Sequence, residues 1–220
     1  QSNSANHGNT TLTPNDSRVS AWGPDGWQFA ADPQPIATGE GGSPWPHLGD
    51  LLVQRYEIPI GIISVGWGGT SVEQWLPSTS TDGLFNRIVM ALDEVGPHGA
   101  RAILWHQGES DLALNTSADV YSQRLGEIIN SSRDVGGWNI PWVVARASYL
   151  PSFSNKSMEQ IVDGQQLVID NDPLTYEGPY TDDMIGDEWR YDTVHFNEAG
   201  LIEHAIRWDS SISILMAELE

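Results

Sequence analysis

The chain has 220 residues, 39% hydrophobic and 18% charged, a composition that fits one globular domain with a substantial core and not a disordered polymer. Its 30 acidic and 10 basic residues give a formal net charge of -20, a field that repels nucleic acid and anionic membrane surfaces. Cysteine is absent, which removes disulfides, thiol nucleophiles and cysteine-based metal sites. The longest apolar stretches, IPIGIISVG and IPWVVARA, are strand-sized, and none is long enough to cross a bilayer. Residues 1–42 are rich in Gly, Pro, Asn, Asp and Ser without sustained periodicity and read as an extended loop region. A helix is predicted over SPWPHLGDLLVQRYEI, with Ser43 as cap, Pro44 in the first turn, and Leu48, Leu51, Leu52 and Arg55 at helical spacing. IPIGIISVG then reads as a buried strand running into GWGGTS. A helix near FNRIVMALDEV follows, then the strand ARAILWHQ and the helix ADVYSQRLGEIINSSRDVGG, which places Tyr121, Leu125, Ile128 and Ile129 on one face. IPWVVARAS is the next strand, SMEQIVDGQQLVIDND the next helix, and a final helix follows YDTVHFNEAG.

Apolar strands alternating with amphipathic helices predict a parallel sheet covered on both faces, within one domain spanning 1–220. Ligands of such sheets bind beyond the carboxyl ends of the strands, where both GWGGTS and WHQGESD fall. Lys156 is the sole lysine, and sequons begin at Asn9, Asn15, Asn115, Asn130 and Asn155. An acidic, lysine-poor surface fits either adaptation to salt water or an acidic secreted protein. No signal peptide is visible, and the sequons favour an extracellular or periplasmic location over a cytoplasmic one.

Four blocks hold groups capable of chemistry. Asp192 and His195 form a D-x-x-H pair, in which a carboxylate can orient an imidazole and stabilise its protonated form; a capping aspartate beside a surface histidine is the plainer alternative. A nucleophilic triad needs a hydroxyl, and Ser2, Ser71 and Ser110 are the candidates; none sits in G-x-S-x-G. In GWGGTS, Gly68 and Gly69 allow the backbone to approach a ligand and aim an N–H at developing negative charge, or else make a tight turn. WHQGESD gathers Gln107, Gly108, Glu109 and Ser110 directly after a strand. The six histidines are scattered and H-E-x-x-H is absent, so no metal site is expected, and the acidic run from Asp182 to Glu188 reads as a solvated loop.

QSNSAN, GWGGTS, WHQGESD and DTVH, taken in that order, resemble the SGNH hydrolases, in the branch of sialate O-acetylesterases and acetylxylan esterases. The resemblance implies a three-layer, flavodoxin-like α/β/α sandwich with a mostly parallel sheet. It makes Ser2 the nucleophile, His195 its general base and Asp192 the orienting acid. It assigns the oxyanion hole to the backbone N–H of Ser2, that of Gly68 or Gly69, and the side-chain amide of Gln107, which stands where the wider superfamily has asparagine. Glu109 would brace the loop through hydrogen bonds. In the family the serine block follows the first core strand, and a glycine precedes the glutamine. This chain opens at Gln1, so that strand and glycine are expected to be missing, through a trimmed amino end, processing or a rearranged fold.

The reaction so implied is removal of O-acetyl groups from carbohydrate through an acyl-enzyme, without a cofactor. Trp67 and Trp105, with Trp45 and Trp75, lie in or near the motif loops, where indoles either stack on sugars or fill the core. The acidic surface favours a neutral acetylated polysaccharide such as xylan over a polyanion. The alternatives are a short-chain carboxylester hydrolase without sugar preference and a non-catalytic carbohydrate-binding relative.

Overall fold

The computed structural model describes residues 1–78, 83–153 and 157–219; Lys156 and the sequon at Asn155 lie outside the described residues. Among the described residues six strands are formed: β1 (Val19–Gly23), β2 (Gly26–Phe29), β3 (Ile60–Ile62), β4 (Ile103–Trp105), β5 (Trp142–Arg146) and β6 (Thr175–Tyr180). The α-helices are α1 (Trp45–Tyr56), α2 (Phe85–Val95), α3 (Glu109–Leu114), α4 (Ala118–Gly136), α5 (Met158–Asn171) and α6 (Glu198–Leu219). Short 3-10 turns occur at Ser2–Ser4, Val72–Trp75 and Pro151–Phe153. The chain divides into two compact units, Gln1–Gly68 with Asp183–Ile214, and Gly69–Asp182 with Leu215–Glu220.

In the first unit the sheet order is β2-β1-β3. β1 pairs antiparallel with β2, from Ser20 opposite Phe29 to Gly23 opposite Gly26, and parallel with β3, from Val19 opposite Ile60 to Ala21 opposite Ile62. Alternation along β1 sends Val19 and Ala21 inward, where they meet Ala30, Val53, Ile60 and Ile62. Residues 1–42 are therefore not one extended loop: VSAWGPDGWQF closes a hairpin through Pro24 and Asp25. The expected buried strand at IPIGIISVG is shorter, Ile60–Ile62, with Ile60 and Ile62 half-buried and Gly61 exposed, and it ends the order β2-β1-β3. Helix α1 begins without the predicted Ser43 cap. Its N-cap is Pro44, while Ser43 donates its Oγ and its backbone N–H to the Asp32 carboxylate at 2.6 and 2.8 Å. The helix ends at Glu57, left-handed with φ 58°, whose N–H reaches Val53 O at 2.9 Å.

The second unit carries a wholly parallel sheet, β4-β5-β6. Central β5 reads as a continuous apolar run because Trp142, Val143, Val144 and Ala145 are all fully buried. Helices α4 and α5 pack on each other, and α5 also packs on β5 and β6. The stripe foreseen on α4 is the buried face: Tyr121, Leu125, Ile128, Ile129 and Ser132. Burying each large apolar side chain there contributes about 1.5–3 kcal/mol. Gly137, at φ 71°, terminates α4 with its N–H on Arg133 O. The fold class is α/β with parallel pairing and covering helices, as expected; β6 was not foreseen as a strand.

Candidate active site

Ser2 lies in the first unit within a 3-10 turn, buried together with Asn3 and Ser4. The turn is tied in four ways. Ala5 N–H reaches Ser2 O at 2.9 Å, Ser4 Oγ donates to Gln1 O, and the Trp45 indole N–H donates to Ser4 O at 2.9 Å. Asn3 Nδ2 reaches Val194 O at 3.3 Å, across 191 positions of sequence. That bond links the residue after Ser2 to the residue before His195.

The turn holding Asp192 and His195 is built by Arg190. Its buried guanidinium donates to Met184 O and Val194 O and lies 4.4 Å over the Phe196 ring. Thr193 takes φ 71°, a left-handed conformation that is strained for a β-branched residue by about 1–3 kcal/mol. Asp192 Oδ1 accepts the backbone N–H groups of Val194 and His195 at 3.0 and 2.6 Å, and Oδ2 lies 2.6 Å from His195 Nδ1. Burial acts to raise the Asp192 carboxyl, but the bonds from the His195 side chain and the two backbone N–H groups outweigh it and hold its pKa below the ordinary value. A carboxylate so placed keeps the imidazole proton on Nδ1 and leaves Nε2 as a proton acceptor.

His195 packs against two further rings. His7 lies 5.3 Å away at 20°, and Tyr191 lies 6.2 Å away at 28°. Tyr191 Oη also donates to His7 O at 3.2 Å. His7 Nε2 meets Thr38 Oγ1 at 3.3 Å, and the same hydroxyl oxygen accepts Gly68 N–H at 2.8 Å. Gly68 borders both groups: a Cβ there would come 2.7 Å from His7 Nε2 and 3.4 Å from Ser2 Cβ.

In the second unit, WHQGESD forms the end of β4 and the start of α3 and is almost entirely buried. Gln107 Nε2 donates to Thr70 O at 3.0 Å and to Asp111 Oδ2 at 2.6 Å, and its Oε1 accepts from Tyr121 Oη at 2.9 Å. Asp111 also accepts Val72 N–H and Thr116 Oγ1, at 2.7 and 2.8 Å; burial raises its pKa against those bonds. Gly108 is required by space, since a Cβ would fall 1.8 Å from Ala147 O. Glu109 accepts Gly108 N–H and lies 3.6 Å from His106 Nε2, both side chains being almost fully buried. Burial would raise the Glu109 carboxyl, yet the His106 imidazole holds it below the usual range. Gly69, at φ 71°, supplies the left-handed step that starts this unit.

Ser2, Gly68, Asp192 and His195 thus belong to the first unit, and Gly69, Gln107 and Glu109 to the second. Of the three hydroxyl candidates, Ser71 is engaged in a capping box with Gln74, and Ser110 lies in α3. Gly68 N–H is occupied by Thr38 Oγ1, so of the two glycines named as donors this one is already bonded. Trp105 corrects the expectation of a sugar platform. It is 6% exposed, packs edge-on to Trp75 and against Trp142, and donates to Tyr121 Oη, so its indole serves the core. Trp45 and Trp75 are likewise buried, whereas Trp67 shows 42% of its surface. The acidic run is divided: Asp182 is buried beneath Ser148 and Tyr149, and Asp183 pairs with Arg207 at 2.6 Å. Among the described residues no group of three or more His, Asp or Glu is placed to hold a metal ion, and no helix is long and apolar enough to cross a membrane. Sequence reasoning missed His7 and Thr38, whose partners are remote in sequence, and Arg190 and Tyr191, which hold the Asp192–His195 turn through Met184, Val194, Phe196 and His195 and, for Tyr191, also reach His7. Only Tyr191 and Arg190, adjoining D-x-x-H, carried a positional hint.

The chain is similar to several known proteins. A probable carbohydrate esterase of Arabidopsis thaliana is 28% identical over 116 residues, covering 49% of this chain and 44% of that protein, so the alignment spans less than half of the relative. The solved structure of that Arabidopsis protein is similar with a TM-score of 0.73 at 18% identity, over 90% of this chain and 82% of that one. A carbohydrate acetylesterase from Xanthomonas citri gives a TM-score of 0.64 at 19% identity, over 90% of this chain and 48% of that one. A family 3 carbohydrate esterase from Clostridium thermocellum gives 0.57 at 19%, over 90% and 96%. The family described as carbohydrate esterase, sialic acid-specific acetylesterase, matches residues 1–211. The chain, with its serine turn, paired Asp192 and His195 and parallel sheet, belongs to that carbohydrate esterase family.

Proposed function

We propose that the protein is a serine esterase that removes O-acetyl groups from carbohydrate. The observation that carries the reading is the 2.6 Å contact between Asp192 Oδ2 and His195 Nδ1, in a turn tied through Val194 O to the residue after Ser2. Nε2 of His195 takes the proton of Ser2 Oγ as that oxygen attacks the acetyl carbonyl carbon. The tetrahedral oxyanion is met by backbone N–H groups, that of Ser2 first; Gly68 N–H joins only if it leaves Thr38 Oγ1. The imidazolium, balanced by Asp192, then protonates the departing sugar hydroxyl. Water, deprotonated by His195, attacks the acetyl-serine, releases acetate and restores the serine. Membership of a carbohydrate esterase family and the likeness to the Xanthomonas citri acetylesterase support an acetylated sugar as substrate. The acidic surface favours a neutral one, such as acetylated xylan.

Acetate release from acetylated xylan, with p-nitrophenyl acetate and longer acyl esters beside it, tests the reading. Wild type should release acetate and react with a fluorophosphonate, and Ser2→Ala should do neither. Ser2→Ala retaining wild-type turnover would refute the nucleophile, and equal rates with and without sugar would refute the substrate class.

A further inference from the structure

The DTVH pair holds one edge of the His195 imidazole, but its bond at Nδ1 restrains the broad rotation about Cβ–Cγ at a single atom. A second constraint is present in His7. Its ring lies near-parallel to that of His195, 20° apart at 5.3 Å, within contact range for stacked aromatic groups. The His7 ring is itself confined on several sides. A Cβ on Gly39 would come 3.0 Å from its Cδ2 and one on Gly68 2.7 Å from its Nε2, so two residues without side chains border the space that it fills. Thr38 Oγ1 meets Nε2, and Tyr191 Oη holds the His7 carbonyl while the Tyr191 ring packs on His195. Burial and the neighbouring His195 imidazole lower the His7 pKa against the pull of Asp192, which favours the uncharged ring.

We propose that His7 is a positioning residue for the esterase reaction, its slotted ring setting the plane of the His195 imidazole so that Nε2 stays aimed at the serine hydroxyl. This rests on the reading of His195 as the base. The role belongs to the flat face of His7 and not to its nitrogen atoms, which separates it from a second acid or base.

Kinetics and NMR of three variants test it. His7→Ala removes the face, and a base that swings is expected to lower kcat about tenfold with KM unchanged. His7→Phe keeps a flat ring and should stay within about twofold of wild type. His7→Leu fills the slot without a flat face and should behave as alanine does, which carries the test if His7→Ala does not fold. The Nδ1 proton of His195, in its short bond to Asp192, gives a readout independent of turnover. Its low-field resonance should be lost to exchange in His7→Ala and His7→Leu and kept in His7→Phe. Unchanged kcat and an intact resonance in His7→Leu, or a loss in His7→Phe as large as in His7→Leu, would overturn the proposal. A wild type that releases no acetate while the resonances follow the expected pattern would defeat the esterase reading and support the ring coupling, so the two failures are distinct.

Discussion

Asp192→Asn preserves size and shape while testing what the carboxylate does. As the carbonyl oxygen of asparagine, Oδ1 can still accept Val194 N–H and His195 N–H, so the turn should persist. The Oδ2 position becomes an NH2 facing His195 Nδ1 across 2.6 Å, where two donors cannot bond. The imidazole proton then moves to Nε2, the atom proposed to accept the serine proton. The charge balancing the imidazolium is lost as well. Two unit charges about 4 Å apart attract by about 1 kcal/mol in water and about 4 kcal/mol at an effective dielectric of 20. With 37% of the Asp192 side chain exposed, solvent screening brings this to about 2 kcal/mol, roughly 30-fold in rate. The wrong tautomer adds to that, giving an expected fall in kcat of about 10²–10⁴ with KM little changed. Initial rates on p-nitrophenyl acetate measure it. Thermal melts against pH supply a second check with a definite sign. Because the folded pKa of Asp192 is lowered, its stabilisation is full above the ordinary 3.8 and fades as pH falls through the lower value. The variant should therefore melt earlier than wild type at neutral pH and converge with it in acid. A variant whose kcat stays within about threefold of wild type would refute the role given to Asp192.

Asp182 should behave in the opposite sense. Its pKa is raised by burial despite bonds from the side chain and N–H of Ser148 and the N–H of Tyr149, so its contribution is greatest below the ordinary carboxyl value and is lost as pH rises through the higher one. Asp182→Asn can keep both backbone bonds and donate to Ser148 Oγ, so chemical denaturation at neutral pH should show it as stable as wild type or up to about 1 kcal/mol more stable. Asp182→Ala should lose about 2–3 kcal/mol, and equal losses in the two variants would contradict the account. For Gln107→Ala, the buried Asp111 carboxylate, Thr70 O and Tyr121 Oη all lose a partner. Stability should fall by about 2–4 kcal/mol together with activity, and an inactive variant with an unchanged Tm would show that Gln107 is not a brace.

The parts of the fold visible in the sequence are those where local pattern and tertiary demand coincide. FNRIVMALDEV is helical from Phe85 to Val95, and the stripe of Tyr121, Leu125, Ile128 and Ile129 is the buried face of α4. The hairpin at VSAWGPDGWQF was obscured because Gly, Pro and Asp crowd the whole region, although P-D-G between alternating segments is itself a turn signal. Strand β6 was hidden by Gly178 and Pro179. Gly178 is there because a Cβ would stand 2.6 Å from the backbone of Val144 and Ala145, a requirement set by the neighbouring strand. At the site, Asp192 and His195 were legible because three residues around one turn fix their meeting. His7 and Thr38 were not, since only the folded chain brings them to His195 and Gly68. Gln107 was identifiable as an important amide, but its bonds to Thr70 and Asp111 are set by the packing of 69–72 against 107–111.

The bond from Asn3 to Val194 spans a separation of 191 residues. A contact of that span carries a high loop-closure entropy and contributes only when everything between its ends has found its place. On the proposed assignment of Ser2 and His195, hydrolytic competence would depend on this closure: a nascent chain that has not yet reached Val194 and His195, or a collapsed species with only its middle strands paired, would lack the groups with which to cleave an ester.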